Sequence, residues 1–219
     1  MDIPNWRVVD ECVQNNTILK LSASSAELNK FLVVLRFCML RIDASPADRQ
    51  KACILAPNVP LVKKYFDAAR QMNGLRAQSI IGTSAVDAWD REDWRTVIEG
   101  NEVLMITPQL FLDALNSEHL RLNEFCALAF DECQNCIGRD IHSHPYAKIL
   151  SSYYTFHNLR WETIRVLGLC TQPHKNNAKT HGARLHAVVQ LQQALRARVR
   201  RAEDLMMGLH AEPYAPPDV

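Results

Sequence analysis

The feature that most constrains this chain is a series of short apolar runs, each about one strand long, separated by segments patterned as helices. Residues 17–21, 52–56, 77–81, 102–106, 126–130 and 164–169 form such runs. Short apolar runs without strict alternation suit strands that are covered on both faces. Between the first two, residues 26–42 carry apolar side chains at 28, 31, 32, 35 and 39, a helical spacing. Helical patterns also cover 60–72, 92–98, 108–115 and 144–154. Asp43-Ala-Ser-Pro46 reads as a turn, and Asn73-Gly74 as a left-handed helix stop. Consecutive parallel strands need long right-handed crossovers, which helices supply. The expected fold is α/β in three layers, a mostly parallel sheet between two layers of helices.

The length of 219 residues suits one well-buried domain with a small appendage. With 47% hydrophobic and 22% charged residues, the composition is that of a globular chain and excludes general disorder. A net charge of +1 gives no bulk attraction to nucleic acid, so any such binding needs a local patch. The apolar stretch 31–40 is interrupted by Arg36 and is too short for a bilayer. The start Met-Asp-Ile-Pro-Asn-Trp-Arg lacks the pattern of an export signal, and the cysteine count of seven is odd. A reduced intracellular protein, cytoplasmic or nuclear and without a membrane partner, is expected. Along the chain, 1–15 reads as an N-terminal segment, 16–173 as the main domain, 174–212 as its helical extension and 213–219 as a tail. Within the extension, 184–207 reads as one long helix crowded with Arg196, Arg198, Arg200 and Arg201. A solvated basic face is the simpler reading of those arginines, and a polyanion contact the sharper one.

The run 126–130 ends abruptly in Asp131 and Glu132. In a parallel sheet, ligands gather beyond the carboxyl ends of the strands. There an Asp can hold magnesium, usually through water, while a Glu orients or deprotonates an attacking water. Taken alone the pair is weak evidence, because many strands end in acids. Its neighbours add to it. Leu55-Ala-Pro-Asn-Val-Pro-Leu-Val-Lys-Lys64, Ile106-Thr-Pro-Gln109, Phe130-Asp-Glu-Cys-Gln134, His144-Pro-Tyr146 and Arg165-Val-Leu-Gly-Leu-Cys-Thr-Gln-Pro173 occur in this order. Together they resemble the first RecA-like domain of superfamily 2 DExD/H helicases, and specifically the helicase region of Dicer-like proteins. The segment Ser84-Ala-Val-Asp-Ala-Trp-Asp-Arg-Glu-Asp-Trp94 and the His-Pro-Tyr make the resemblance one to Dicer, with a fungal type among the candidates, over other helicases. The resemblance runs from about residue 5 to the end of the chain. It implies a RecA-like, P-loop NTPase-type fold with ATP and magnesium as cofactors and double-stranded RNA as a partner.

In that family the phosphate loop follows a strand carrying Asn-Thr-Ile and reads roughly Pro-Thr-Gly-Ser-Gly-Lys-Thr. Here Asn16-Thr-Ile-Leu-Lys-Leu21 runs into Ser22-Ala-Ser-Ser-Ala-Glu-Leu28. Matched in straight register, Ser24 and Ala26 replace the glycines, Glu27 the lysine and Leu28 the magnesium-binding threonine, and Ser25 alone survives. Glycines let backbone N–H groups converge on phosphate. The lysine supplies charge to the β- and γ-phosphates. A glutamate in its place turns attraction into repulsion. The adenine-reading glutamine falls near Asn5. Gln134 stands where Dicer-like chains usually carry His, and Thr171 is the only hydroxyl in the coupling motif Cys170-Thr-Gln172. The expectation is a degenerate nucleotide site that takes ATP and magnesium only if it still functions, with Asp131 as the metal ligand and Asp131 and Glu132 otherwise relics.

Because the chain stops where a second RecA-like domain is expected, the alternative is an ATP-dependent RNA helicase or Dicer fragment that another chain completes. For RNA, the resemblance implies backbone contacts from Pro57, Asn58, Thr107, Pro108 and Gln109, with Lys63 and Lys64 on the following helix. The structural reading of the same residues is that they end strands and cap helices, Thr107 serving before Pro108. The implied partners are a weakly held RNA duplex and a Dicer-like or other silencing protein. Cys133-Gln-Asn-Cys136 with His142 and His144 offers zinc-type ligands, but the spacing matches no common finger and the residues fall within helicase motifs. Trp89 and Trp94 read as loop packing.

Overall fold

The computed structural model describes residues 6–21, 29–46, 50–137, 144–157, 164–172 and 180–206. Among these, four-residue apolar runs become strands β1 (Thr17–Lys20), β2 (Ala52–Leu55), β3 (Ala77–Ile80), β4 (Val103–Ile106) and β5 (Ala127–Phe130). β6 (Arg165–Cys170) follows, and β7 (Arg198–Arg201) completes one sheet in the order β3-β4-β2-β5-β6-β1-β7, every pairing parallel. β2 and β5 are buried at every position, as strands covered on both faces must be.

Alternate residues of each strand feed two cores. Ile18, Cys53, Leu55, Leu104, Ile106, Leu128 and Phe130 point to one face, where they meet helices α5 (Arg91–Gly100), α6 (Pro108–Asn116), α7 (Pro145–His157) and α8 (His181–Leu195). Leu19, Ile54, Met105, Ala127, Ala129 and Leu167 point to the other, against α1 (Trp6–Gln14), α2 (Lys30–Asp43), α3 (Val59–Ala69) and α9 (Ala202–Met206). A short helix, α4 (Ser84–Asp87), lies in the β3–α5 connection. The expected three-layer α/β architecture is thereby present. The left-handed stop expected for α3 at Asn73-Gly74 is not its cap: the helix ends at Ala69 with a right-handed cap at Arg70, and Gly74, φ +82, lies in the turn that leads on to β3. None of the described helices is long and apolar enough to cross a membrane.

In the N-terminal segment, Val8, Val9 and Cys12 of α1 are fully buried against α2 and its neighbours. One expectation fails at the other end: the C-terminal region is not one long helix. α8 stops at Arg196, which adopts a left-handed conformation (φ 43) with its guanidinium 4.3 Å from the Tyr154 ring. Arg198–Arg201 then pairs with β1 as an edge strand. The Arg200 guanidinium bonds to Glu11 at 3.3 Å, and the outward N–H of Val199 donates to Gln192 Oε1 at 3.1 Å. Arginine-rich sequence suits an edge strand, where charge discourages further pairing.

Candidate functional site

The acidic-motif, coupling-motif and RNA-contact residues singled out from the sequence, where described, follow the carboxyl ends of the parallel strands. They fall into two groups. One lies at β1, β5 and β6, and the other at β2 and β4.

In the first group Asp131 follows β5 and is 2% exposed. A buried carboxylate needs partners for its charge and lone pairs, and this one accepts four hydrogen bonds from the described residues. Lys30 Nζ donates to Oδ2 at 2.8 Å and to Oδ1 at 3.1 Å. The Tyr65 hydroxyl donates to Oδ2 at 3.2 Å and the Glu132 backbone N–H to Oδ1 at 3.0 Å. Tyr65 comes from α3. Burial first, then the charge and hydrogen bond of Asp131, hold its hydroxyl proton well above the usual phenol range. The Tyr146 hydroxyl sits between two strand ends, 2.9 Å from the Leu55 carbonyl and 2.7 Å from that of Asp131. That explains the tyrosine of His144-Pro-Tyr146, while His144 Nδ1 accepts from the Tyr146 N–H at 3.2 Å.

Lys30 was not among the residues anticipated. It is the first residue of α2, and Asn29 caps that helix, its side chain accepting from the N–H groups of Phe31 (3.1 Å) and Leu32 (3.3 Å). In a strand–loop–helix phosphate site the lysine stands where the helix begins. By that criterion Lys30 is, alongside Glu27, a candidate for the position, with Phe31 following where a hydroxyl residue would stand. The signal was available: Asn29 is a favourable N-cap directly before Phe31-Leu-Val-Val-Leu35. Ser24, Ser25, Ala26, Glu27 and Leu28 lie outside the described residues, as do Asn5 and His142.

Glu132 is exposed and left-handed, φ 51 and ψ 50, a conformation that costs a non-glycine residue about 1 kcal/mol or more. Next to it Cys133 is fully buried. Burial, then its hydrogen bond with Cys170, pushes the thiol well up. It packs so closely under β6 that a Cβ on Gly168 would lie 2.9 Å from its Sγ. Gln134 presents a buried Oε1 with no partner among the described residues. Thr171 and Gln172 are exposed just past β6.

Magnesium keeps near-octahedral oxygen ligation and most of its waters. Both oxygens of Asp131 are committed to donors of the chain itself, and the described residues contain no group of three or more His, Cys, Asp or Glu able to hold a metal ion. The residues present do not fit the ion.

The second group is more open. Asn58 caps α3, its Oδ1 accepting from the Leu61 N–H at 3.0 Å. Lys63 and Lys64 are exposed on that helix, and Pro57 is half-buried before it. Thr107 occupies the N-cap position of α6 with Pro108 buried behind it, but its hydroxyl makes no capping bond. The expected side-chain cap is therefore absent. Gln109 is exposed and donates to Asp113 Oδ1 at 2.8 Å. Beyond this edge, Trp94 is 3% exposed, stacks on His119 (5.7 Å between centroids) and meets Trp89 edge-on. Both tryptophans are packing residues.

No family model matches the chain. Endoribonuclease Dicer homolog 3b of Oryza sativa subsp. japonica is 30% identical over 212 residues, which is 96% of this chain and 12% of that protein. Endoribonuclease Dicer homolog 3 of Arabidopsis thaliana is 30% identical over 67% of this chain and 9% of its own length. Dicer-like protein 2 of the fungus Cryphonectria parasitica is 23% identical over 76% of this chain and 11% of its own length. The chain thus spans about a tenth of the relatives it matches. Among solved structures, the Hef helicase domain of Pyrococcus furiosus superposes with a TM-score of 0.68 at 18% identity, covering 91% of this chain and 38% of that one.

Proposed function

The chain belongs to the Dicer-like DExD/H helicase domains, and from that premise we propose that it is a RecA-like domain that has given up ATP hydrolysis and serves RNA silencing as a binding module. The ligand is RNA backbone or a silencing protein, met at the open half of the carboxyl edge. One observation carries the loss of ATP use: the β1-to-α2 connection contains no glycine and delivers the helix with Phe31 second. Without glycines, converging N–H groups around a triphosphate become strained. Without a hydroxyl at the second helical position, a nucleotide-bound metal loses a ligand. Each deficit of about 1.4 kcal/mol weakens binding tenfold.

Thermal melting with and without magnesium-ATP tests the loss, the expected result being an unmoved midpoint at millimolar nucleotide. A labelled RNA duplex titrated at low and high salt tests the RNA arm. Binding confined to low salt is expected of a single half-site held by phosphate contacts, and silence at low salt leaves the protein partner.

The retention of Asp131, Glu132 and a lysine at the helix start favours a second reading, an ATPase completed by a second RecA-like domain from another chain. A shift of several degrees with magnesium-ATP, abolished by Asp131→Ala, would establish that reading in place of the first.

A further inference from the structure

We propose that Lys30 is the resident cation of the acidic motif: its ammonium neutralises Asp131 in the role a divalent ion would have, so the domain is complete without metal. The ammonium bonds both carboxylate oxygens, at 2.8 and 3.1 Å, and is 26% exposed against 3% for the acid. A lysine head is a compact charge with three donors, and two of them are used here. The remaining capacity of Asp131 is taken by the Tyr65 hydroxyl and the Glu132 N–H.

The supports are fixed. Asn29 caps the helix that carries Lys30. Phe31 packs edge-on against Tyr65 at 4.8 Å, and its ring lies 5.3 Å from the ammonium. α2, α3 and β5 are therefore tied together through one carboxylate. A divalent ion could reach an oxygen of Asp131 directly only by expelling Lys30, which would free one lone-pair site on each oxygen. The inference rests on the acidic motif alone and does not depend on RNA or protein binding.

Manganese is the probe, followed by its effect on water-proton relaxation and on the melting midpoint of the full chain. The native protein is expected to give neither enhancement nor shift at millimolar ion. Lys30→Met should melt roughly 5 °C lower, since one partner of a largely buried pair is lost. It should also gain a manganese-dependent recovery that Lys30→Met/Asp131→Asn lacks. If Lys30→Met does not fold, the comparison of the native chain with Asp131→Asn decides, both being expected silent. Manganese binding to the native chain that Asp131→Asn abolishes would overturn the proposal. So would a Lys30→Met variant as stable as the native chain and indifferent to metal. Neither result moves the RNA titration, so the two proposals fail separately.

Discussion

The two halves of the carboxyl edge share one scaffold and have met different fates. At β1, β5 and β6 most of the chemically expressive groups are turned inward, Asp131 on Lys30 and Tyr65, Tyr146 on two carbonyls and Cys133 under Gly168, while Glu132, Thr171 and Gln172 stay exposed. At β2 and β4 Lys63, Lys64 and Gln109 remain at the surface, and only Asn58 is spent on a helix cap. Burial decides the difference. A polar group removed from water must be satisfied within the chain, and once satisfied it is no longer offered to a ligand. The first half has become part of the stability of the domain, and the second is the half left to recognise something.

High pH should break the sealed half most severely. Burial holds the protons of Tyr65, Tyr146 and Cys133 well above their ordinary values, and lifts the Cys12 thiol from 9.0 to about 12. The unfolded chain releases these protons first, near the ordinary values, so it binds fewer protons than the folded chain in that range. Stability is then full below about pH 9 and falls as pH climbs toward 12. A pH series of urea melts checks it, and hydrogen exchange should rise in β5 before it rises in α6. A midpoint unchanged between pH 8 and pH 11 would contradict the assignment.

Next in size is Tyr146→Phe, which leaves the carbonyls of Leu55 and Asp131 without their shared donor. A loss of about 2 kcal/mol is expected by denaturant melts. Gly168→Ala follows at roughly 1–2 kcal/mol, because the added methyl meets Cys133 Sγ inside contact distance. Combining it with Cys133→Ala should recover part of that cost, and two costs that merely add would show that the sulfur is not the obstacle. On the open half Asn58→Ala should cost about 1 kcal/mol, the ordinary value of a lost cap.

The two halves were also unequally legible. Apolar runs mark six strands to within a residue or two, most densely at β2, β4 and β5, which are buried on both faces, and more faintly at the half-buried β3. β7 escaped because an edge strand reading Arg-Val-Arg-Arg has no such signature, and α8 was therefore carried through Arg196 as one helix. The acidic motif could be read from its strand, but its partner could not. Lys30 is 101 positions away from Asp131, and only the way α2 leans over β5 brings the two together. Straight register points to Glu27 for the lysine position, while the cap signal at Asn29 points to a helix that begins at Lys30. Asn58 and Thr107 looked alike in sequence, two short polar residues before proline-bearing helices. Only the folded geometry separates the one that bonds its helix from the one that does not.

That last distinction gives the smallest expected stability effect and the most informative one. The Thr107 hydroxyl makes no capping bond, so Thr107→Ala should shift unfolding by less than about 0.5 kcal/mol, the range of a surface change. Lys63→Ala/Lys64→Ala should be equally mild, because both ammoniums are exposed. If the open half meets RNA, the same variants must act on binding while leaving stability alone. The double lysine variant should weaken duplex affinity and flatten its salt dependence, each lost phosphate contact lowering the slope by about one. Thr107→Ala should weaken affinity without changing that slope, since a hydroxyl releases no counterion. Loss of stability in parallel with loss of affinity would mean that these residues only hold the edge together, and the two halves would then differ in exposure but not in role.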